Sequence, residues 1–541
     1  MKIDSFVLPT ANRLVADYLQ VKPEAMQFFS YAPFDGTAMR QRLVQLKERC
    51  IEHREELADG LAVYNTRVGN HDAALENIEL LRSENTFVVI AGQQAGVMTG
   101  PLYTIYKAIS ILHTAKQLQE ELGVTVVPVF WIAGEDHDLE EINHVWVSDA
   151  NGKPTKQKLP FKPKGKRSAS MQNLEREQAE RFIRDFFAAH AESEHTQKLR
   201  KLASDALEHA ATPVDWFARL LVHFFGKYGL VLAESSSAYV RKLEQPVFRK
   251  VLEHNGQISQ LLADSERKLR EAGYGTQLEL DERSAHLFIY EGEERSLLER
   301  EGEKFLTKGG RRSYTKQELL ELLEQEPERF SANVVSRPLA QEHLFPTLAF
   351  IGGPGEIGYW AYYKALFAEL GYELPIVLPR TSITLVDGGL ERVMEHFGLR
   401  LPDVLDGFAE WKEKWLEGLK EPGLSERFEA ARQAILAAYQ PLTEHVITVD
   451  PGLRGLTDKN TNRLLEQVEF LQERVERSVQ QRHQVELDRI ARLENHLIPG
   501  GKLQERVWSI FTYLNTYGPD LVDRLMEVHY PFDGTHKVVY L

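Results

Sequence analysis

Residues 85–120 read NTFVVIAGQQAGVMTGPLYTIYKAISILHTAKQLQE, a short apolar run that meets a glycine-spaced loop leading straight into a helical pattern. Phe87–Ile90 is aromatic and β-branched with no polar break, which predicts a strand buried on both faces of a parallel sheet. Gly92, Gly96 and Gly100 recur at every fourth position, where they let backbone approach a ligand closely or take positive φ. Pro101 suits a first helical position, with Thr99 or Gly100 as its cap. Leu102, Ile105, Ile109 and Leu112 then share one helical face and leave Tyr103 and Lys107 together on another. Free N–H groups at such a helix start favour a carboxylate or phosphate, and Lys107 lies about two turns in, within reach of it. The plainer reading is a strand-loop-helix turn that binds nothing. Neither GxGxxG nor GxxxxGK[ST] occurs, so the loop carries no dinucleotide or P-loop fingerprint.

Downstream, Gly123 ends the helix and VTVVPVFWIAG supplies a second buried strand, so residues 87–132 form a β-α-β unit for which a right-handed crossover is expected. Glu135, Asp136, His137 and Asp138 follow at once. Ligands of open parallel sheets sit at the carboxyl ends of strands, and both polar clusters leave from that edge. Upstream, the first 85 residues read as a short lead-in followed by helices over MRQRLVQLKERCIEHREELADGLAVYN and HDAALENIELLRS, expected to cover one face of the sheet.

The texture changes at 150. Lys153, Lys156, Lys158, Lys162, Lys164, Lys166 and Arg167 lie among Pro154, Pro160, Pro163 and Gly165 with no acid between them, which predicts a surface loop or ribbon, or an anion-gripping lid. A helical insert is expected over about 170–210, a helix from Thr212-Pro213, and a third core strand in GLVLAES. Residues 240–330 read as a second insertion, with a helix to about 271, strand-like pieces at QLELDE and AHLFIYE, and a capping box from Thr315 to Glu318. NVVSRPLAQEHLFPTLAFIGGPGEIGYWAYYKALF and LPIVLPRTSITLVD supply a fourth and a fifth strand.

Beyond 390 the chain is helical and charged. Val404, Phe408, Trp411, Trp415 and Leu419 lie along one seam, and further helices follow a Glu421-Pro422-Gly423 break. Leu464, Val468, Leu471 and Val475 keep a 4-3-4 rhythm that returns at Ile490, Leu493 and Leu497, which predicts an antiparallel helical hairpin. An exposed apolar seam finds a partner, so a dimer is expected. The resulting division is 1–150, 211–240 and 333–390 as core, 151–210 and 241–332 as insertions, 391–500 as a helical arm, and 501–541 as a return to the core.

At 541 residues the chain exceeds one ordinary core, and roughly 150 residues per domain suggests three or four structural units. A composition 43% hydrophobic and 27% charged belongs to globular rather than disordered proteins. The formal charge of −15 argues against nonspecific binding to nucleic acid or an anionic membrane. The single cysteine, Cys50, excludes an intrachain disulfide and a Cys-rich zinc site, and its helix-patterned surroundings predict a packing role. No secretory pattern opens the sequence and no apolar run approaches the ~18 residues that span a bilayer, so a cytoplasmic location is the expectation.

Four constellations carry chemistry. Gln93, Gln94, Thr99, Tyr103 and Lys107 leave the opening loop and helix. Glu135, Asp136, His137 and Asp138 place three acids around one histidine, able to orient an amine, hold it as ammonium or take its proton; a solvated acidic loop is the alternative. Were this segment helical, His137, Glu141 and His144 would share a face, but HxxxExxH matches no metal pattern and no metal site is identified. The third group is Asn333, Arg337, Gln341 and the turn Gly352-Gly353-Pro354-Gly355-Glu356, with Arg337 as the natural clamp for a carboxylate or phosphate. The fourth is Arg380, Thr381, Ser382 and Thr384, with a counterpart in Pro499-Gly500-Gly501-Lys502-Leu503-Gln504-Glu505-Arg506, which reads as a phosphate-receiving turn or as a plain helix-to-helix turn.

With these residues in place the chain resembles the bacillithiol-biosynthesis cysteine-adding enzymes (BshC). The resemblance rests on GQQAGVMTGPLYTIYK, WIAGEDHDLEEINH, NVVSRPLAQEHLFPTLAFIGGPGEIGYWAYY, VLPR and LIPGGKLQER, and runs over essentially the whole chain. It implies an α/β fold: a Rossmann-like, nucleotidyltransferase-type parallel-sheet core with inserted connecting domains and a C-terminal coiled-coil arm used for homodimerisation. The implied reaction is an ATP-dependent ligation of the cysteine carboxyl to the amine of glucosaminyl-malate. Neither HIGH nor KMSKS occurs, so adenylate chemistry by those motifs is not implied. An amide ligase needs an activated acid, an enclosed amine and cationic or N–H groups facing developing anionic charge. On that chemistry Asp136, His137, Asp138 and Lys107 are the expected catalytic residues. Gln93, Gln94, Thr99, Tyr103, Arg337, Gln341 and Gly353 are expected to bind substrate, and Arg380, Ser382, Thr384, Gly501, Lys502 and Arg506 to bind ATP or ADP. A different ATP-dependent acyl or nucleotidyl transferase, and a noncatalytic coiled-coil scaffold, are the alternative readings.

Overall fold

Alternation of apolar side chains along the opening run builds the central sheet of the computed structural model, which describes residues 1–10, 12–149, 152–161, 165–419 and 423–541. β1 (Thr86–Gln93) sends Phe87, Val89 and Ala91 into one apolar core and Val88 and Ile90 into another. All five are fully buried, as both-face coverage of a parallel strand requires. With the strands of this sheet numbered by themselves, β2 (Thr125–Ile132), β3 (Val231–Glu234), β4 (Thr347–Gly352) and β5 (Ile376–Pro379) complete the order β5-β4-β1-β2-β3, every pair parallel. The strand Ser382–Val386 leaves this sheet. It pairs parallel with His536–Tyr540, which pairs antiparallel with the lead-in strand Lys2–Phe6.

Between β1 and β2 runs α1 (Tyr103–Leu122), closed by Gly123 at φ 64°. Its start departs from the expected cap. Val97–Thr99 form a tight turn with Met98 and Thr99 at φ 50° and 66°, and Leu102 rather than Thr99 or Gly100 precedes the first helical residue. The C-terminal segment is the cause: Pro101 bridges to Ser509, and the Leu102 N–H donates to the Trp508 carbonyl at 2.8 Å. Of the three spaced glycines only Gly100 takes positive φ. Gly96 answers to space instead, since a Cβ there would lie 2.9 Å from Gly100 Cα.

The upstream helical pattern breaks into Gly36–Glu48 and Arg54–Val68. Arg49 leaves the first helix and turns onto the buried Glu342, and Cys50 falls in the exposed break, so it packs nothing. Met39 and Leu43 join the core of Phe87, and Leu57 and Leu61 that of Val88, so these helices serve both cores rather than one face. His144–Ser148 and Pro154–Lys158 form a hairpin, while Lys162, Pro163 and Lys164 of the lysine-rich stretch lie outside the described residues. A five-stranded antiparallel sheet, its longest strands Ser284–Glu291 and Glu294–Glu301, follows the helices Ala238–Glu253 and Asn255–Glu271. QLELDE is irregular, not a strand, and AHLFIYE supplies most of Ser284–Glu291. The Thr315–Glu318 capping box forms as read.

The chain separates into two compact units, residues 1–386 with 502–541, and residues 387–501. Within the second, Gly407 at φ 113° divides the expected tryptophan seam into helices Leu401–Leu405 and Phe408–Gly418. Glu421 and Pro422 of the expected break lie outside the described residues. Leu424–Val449 and Arg454–Arg482 are joined by the turn Pro451–Leu453 into a hairpin, and Arg432 donates to Gln472 across it. Leu464, Val468 and Val475 are half-buried, but Leu471 is 56% exposed because the seam passes through Gln472. Ile490, Leu493 and Leu497 are buried on the helix Gln484–Leu497. Among the described residues no helix is long and apolar enough to cross a membrane.

Candidate active site

The carboxyl ends of β1, β2 and β4 open into a cavity of about 710 Å³, lined wholly by residues of the first unit. Parallel strands end there with their polar residues gathered on one edge, as the sheet topology requires. From the opening loop and α1 it takes Gly92, Gln93, Gln94, Tyr103 and Lys107. Lys107 is 2% exposed and its ammonium is fully engaged. It donates to the Gly92 carbonyl at 2.7 Å, to Gln93 Oε1 at 3.1 Å and to Glu356 Oε2 at 2.6 Å. Burial pulls its pKa below the ordinary lysine value, against the raising effect of Glu356. Lys107 therefore ties β1 to the turn after β4 instead of waiting for an anion. Thr99 does not reach the cavity: it is fully buried and its hydroxyl donates to the Met98 carbonyl at 2.6 Å.

The acidic loop after β2 divides into three roles. Glu135 is buried and bonded to Arg241, which also holds Glu244 at 3.1 Å. Burial raises the Glu244 carboxyl to about 8. Asp136 faces the cavity, accepting from Gln94 Nε2 at 2.6 Å and from the Asp138 N–H at 3.2 Å. His137 also lines the cavity, whereas Asp138 is exposed and lies outside its wall. The helical face that would gather His137, Glu141 and His144 does not form. The helix spans only Leu139–Ile142, and His144 opens a strand.

From the helix Ser336–Leu344, Arg337 reaches the cavity, where its guanidinium donates to Gln341 Oε1 at 3.1 Å and Tyr359 OH at 3.3 Å. Among the described residues it makes no ion pair with a carboxylate. Gln341 is fully buried and outside the cavity wall, so it orients Arg337 and does not face a ligand. The Gly353 N–H, at the start of the seven-residue helix Pro354–Trp360, already donates to Glu356 Oε2 at 2.8 Å.

Arg380 and Arg506 line the same cavity, whereas Ser382, Thr384, Gly501 and Lys502 do not. Arg380 is bonded to the buried Glu505 through both terminal nitrogens, one at 2.8 Å. His536 lies between Ser382 Oγ, 2.9 Å from Nδ1, and Thr384 Oγ1, 2.8 Å from Nε2. Lys502 is exposed and Gly501 takes φ 73°, neither lining the cavity.

Sequence reasoning missed the contribution of the second insertion. Glu279, Asp281, His286, Phe288 and Arg295 line the cavity, brought there by the irregular QLELDE segment and the antiparallel sheet. His286 sits at φ 60° where the Ser284–Glu291 strand slips register against its partner. Bulged and strained positions of this kind gather at functional sites. A buried arginine within the charged run ERSLLERE gave no sign in the sequence, because the hairpin register alone decides which residues face inward.

Comparison with known proteins matches this architecture in two pieces. Residues 1–381 match the family model "Bacillithiol biosynthesis BshC, N-terminal Rossmann-like domain", and residues 383–541 match "Bacillithiol biosynthesis BshC, C-terminal coiled-coil domain". Relatives named "Putative cysteine ligase BshC" include proteins of Geobacillus kaustophilus, 42% identical over 544 residues, and Bacillus anthracis, 39% identical over 542 residues. In both, the whole of each chain is covered. The chain therefore belongs to the BshC family of bacillithiol biosynthesis.

Proposed function

We propose that this protein is a cytoplasmic ligase that joins the carboxyl of L-cysteine to the amine of glucosaminyl-malate, with ATP as the activating co-substrate and the helical unit pairing two copies. The observation that carries the reading is the pairing state of two charges in one cavity. Arg337 and Asp136 both face it, and among the described residues neither makes an ion pair. An unspent guanidinium suits a carboxylate or phosphate, and an unspent carboxylate suits an amine. The relatives' designation as cysteine ligases supports the cysteine half of the reaction.

Activation begins when a cysteine carboxylate oxygen attacks a phosphorus of ATP and displaces either pyrophosphate or ADP. The sugar amine then attacks the activated carbonyl carbon, and its proton passes to Asp136. The C–O bond to phosphorus breaks with its electron pair on the departing AMP or phosphate, leaving the amide. Among the described residues Arg337 and Arg506 are the cavity cations free to face phosphate or malate oxygens, since Lys107 and Arg380 are paired with carboxylates and Arg295 is held by Ser331, Ala332 and His137. Purified protein incubated with cysteine, glucosaminyl-malate and ATP should yield bacillithiol by mass spectrometry, with AMP or ADP in equal amount. Product without nucleotide turnover would remove ATP from the reaction, and no product from folded protein would remove the ligase reading.

A further inference from the structure

We infer that Arg295, delivered by the second insertion, is a positioning residue that holds His137 as a neutral imidazole carrying its proton on Nε2. Arg295 NH1 lies 3.1 Å from His137 Nδ1. A guanidinium offers donors and no acceptor, so Nδ1 must accept and the proton of a neutral ring must sit on Nε2. Arg295 has no freedom to do otherwise. It is 4% exposed, its Nε donates to Ser331 Oγ at 2.8 Å, and its NH2 donates to the Ala332 carbonyl at 2.6 Å. The Phe288 ring lies 3.7 Å from its guanidinium carbon, and its backbone N–H donates to the Lys166 carbonyl at 2.9 Å. Among the described residues no carboxylate pairs with it, so its charge falls on the imidazole.

The charged groups around His137 are Arg295 from the insertion sheet and Lys166 from the first insertion, opposed by Asp136 and Asp138 of its own loop. Burial first and Arg295 second push the imidazole below the ordinary histidine value. The Nε2 edge has no hydrogen-bond partner among the described residues, and His137 lines the cavity.

The catalytic consequence rests on the ligase reading. An Nε2–H donor cannot take the amine's proton, so that proton goes to Asp136, while His137 donates a hydrogen bond, without transfer, to the carbonyl oxygen that gains charge when nitrogen attacks carbon. Protein labelled with ¹⁵N-histidine reports the tautomer directly, with the His137 signals assigned by their loss in His137→Gln. In the intact wild-type chain His137 should show an unprotonated Nδ1 and a protonated Nε2 at neutral pH and titrate below the ordinary histidine value of about 6.5. Arg295→Met should release the ring to titrate at higher pH and lower kcat about 10-fold or more with KM little changed, as loss of an oriented donor does. A protonated Nδ1, or an imidazolium near neutral pH in the wild type, would overturn the inference, as would an Arg295→Met protein with unchanged His137 signals. The spectrum needs no turnover, so absence of ligation would defeat the ligase reading and leave the tautomer assignment standing.

Discussion

At the scale of single residues, His536 makes pH a probe of how the C-terminal strand is held. Burial, the first cause, together with Arg380 and Lys537 lowers its pKa to about 4, against the pull of Glu505. Its ordinary value is 6.5, so between that pH and about 4 the unfolded chain binds a proton that the folded chain refuses. Stability contributed by the neutral ring is therefore complete above about pH 6.5 and falls as pH drops, by on the order of 1 kcal/mol per pH unit. His286, lowered to about 4, and His343, lowered to about 3, act in the same direction. Urea midpoints measured between about pH 7 and about pH 5 should fall with pH. His536→Gln, which keeps a donor and an acceptor for the two hydroxyls, should flatten the fall by about one proton's worth. An unchanged slope would show that His536 is not neutral in the folded protein.

At the scale of elements, the central sheet was legible because each strand announced itself. Phe87–Ile90 and Val126–Ile132 are apolar runs too short for a buried helix, and glycine or polar clusters close each one. The Thr315–Glu318 box and the Thr212-Pro213 start were legible for the same reason: their chemistry is local. What failed was set by distant partners. LPIVLPRTSITLVD reads as closing the core with a fifth strand, yet its part Ser382–Val386 leaves that sheet and pairs with a strand 154 residues later, a choice no local pattern encodes. The cap of α1 shifted because Trp508 and Ser509 hold the preceding loop, and Cys50 was exposed because Arg49 turns away to meet Glu342. In the candidate site, the first three clusters each contribute cavity residues because they share the carboxyl edge of one parallel sheet. Which members face inward was not legible. Glu135 and Asp136 both line the cavity, but Arg241 ties up Glu135 while Asp138 turns to solvent. Arg295 belongs to an insertion whose register, not its composition, brings it to His137.

At the scale of the whole molecule, the two units make separable claims. The second carries large apolar residues in the open, including Leu442, Val449, Leu456, Phe470 and Val485, each more than half exposed. Such a surface suits a second copy. The first unit can be closed without the second, because the Leu385 N–H donates to Gln504 Oε1 at 2.8 Å and Gln504 Nε2 returns a bond to the Leu385 carbonyl at 2.9 Å. Replacing residues 387–501 by a short Gly-Ser bridge should give a folded monomer by light scattering, and the full chain should give a dimer; a dimeric deletion variant would take this unit out of the interface. The central claim, that the cavity at the strand ends performs the ligation, is tested most directly in a deletion strain by bacillithiol content, with expression checked. Asp136→Asn keeps size and hydrogen-bonding atoms and removes the charge that faces the cavity. It should lower ligation by about 10²- to 10⁴-fold, the usual cost of losing a general base. Asp138→Asn, exposed and outside the cavity, should give near-normal thiol. Normal bacillithiol from Asp136→Asn would contradict the account.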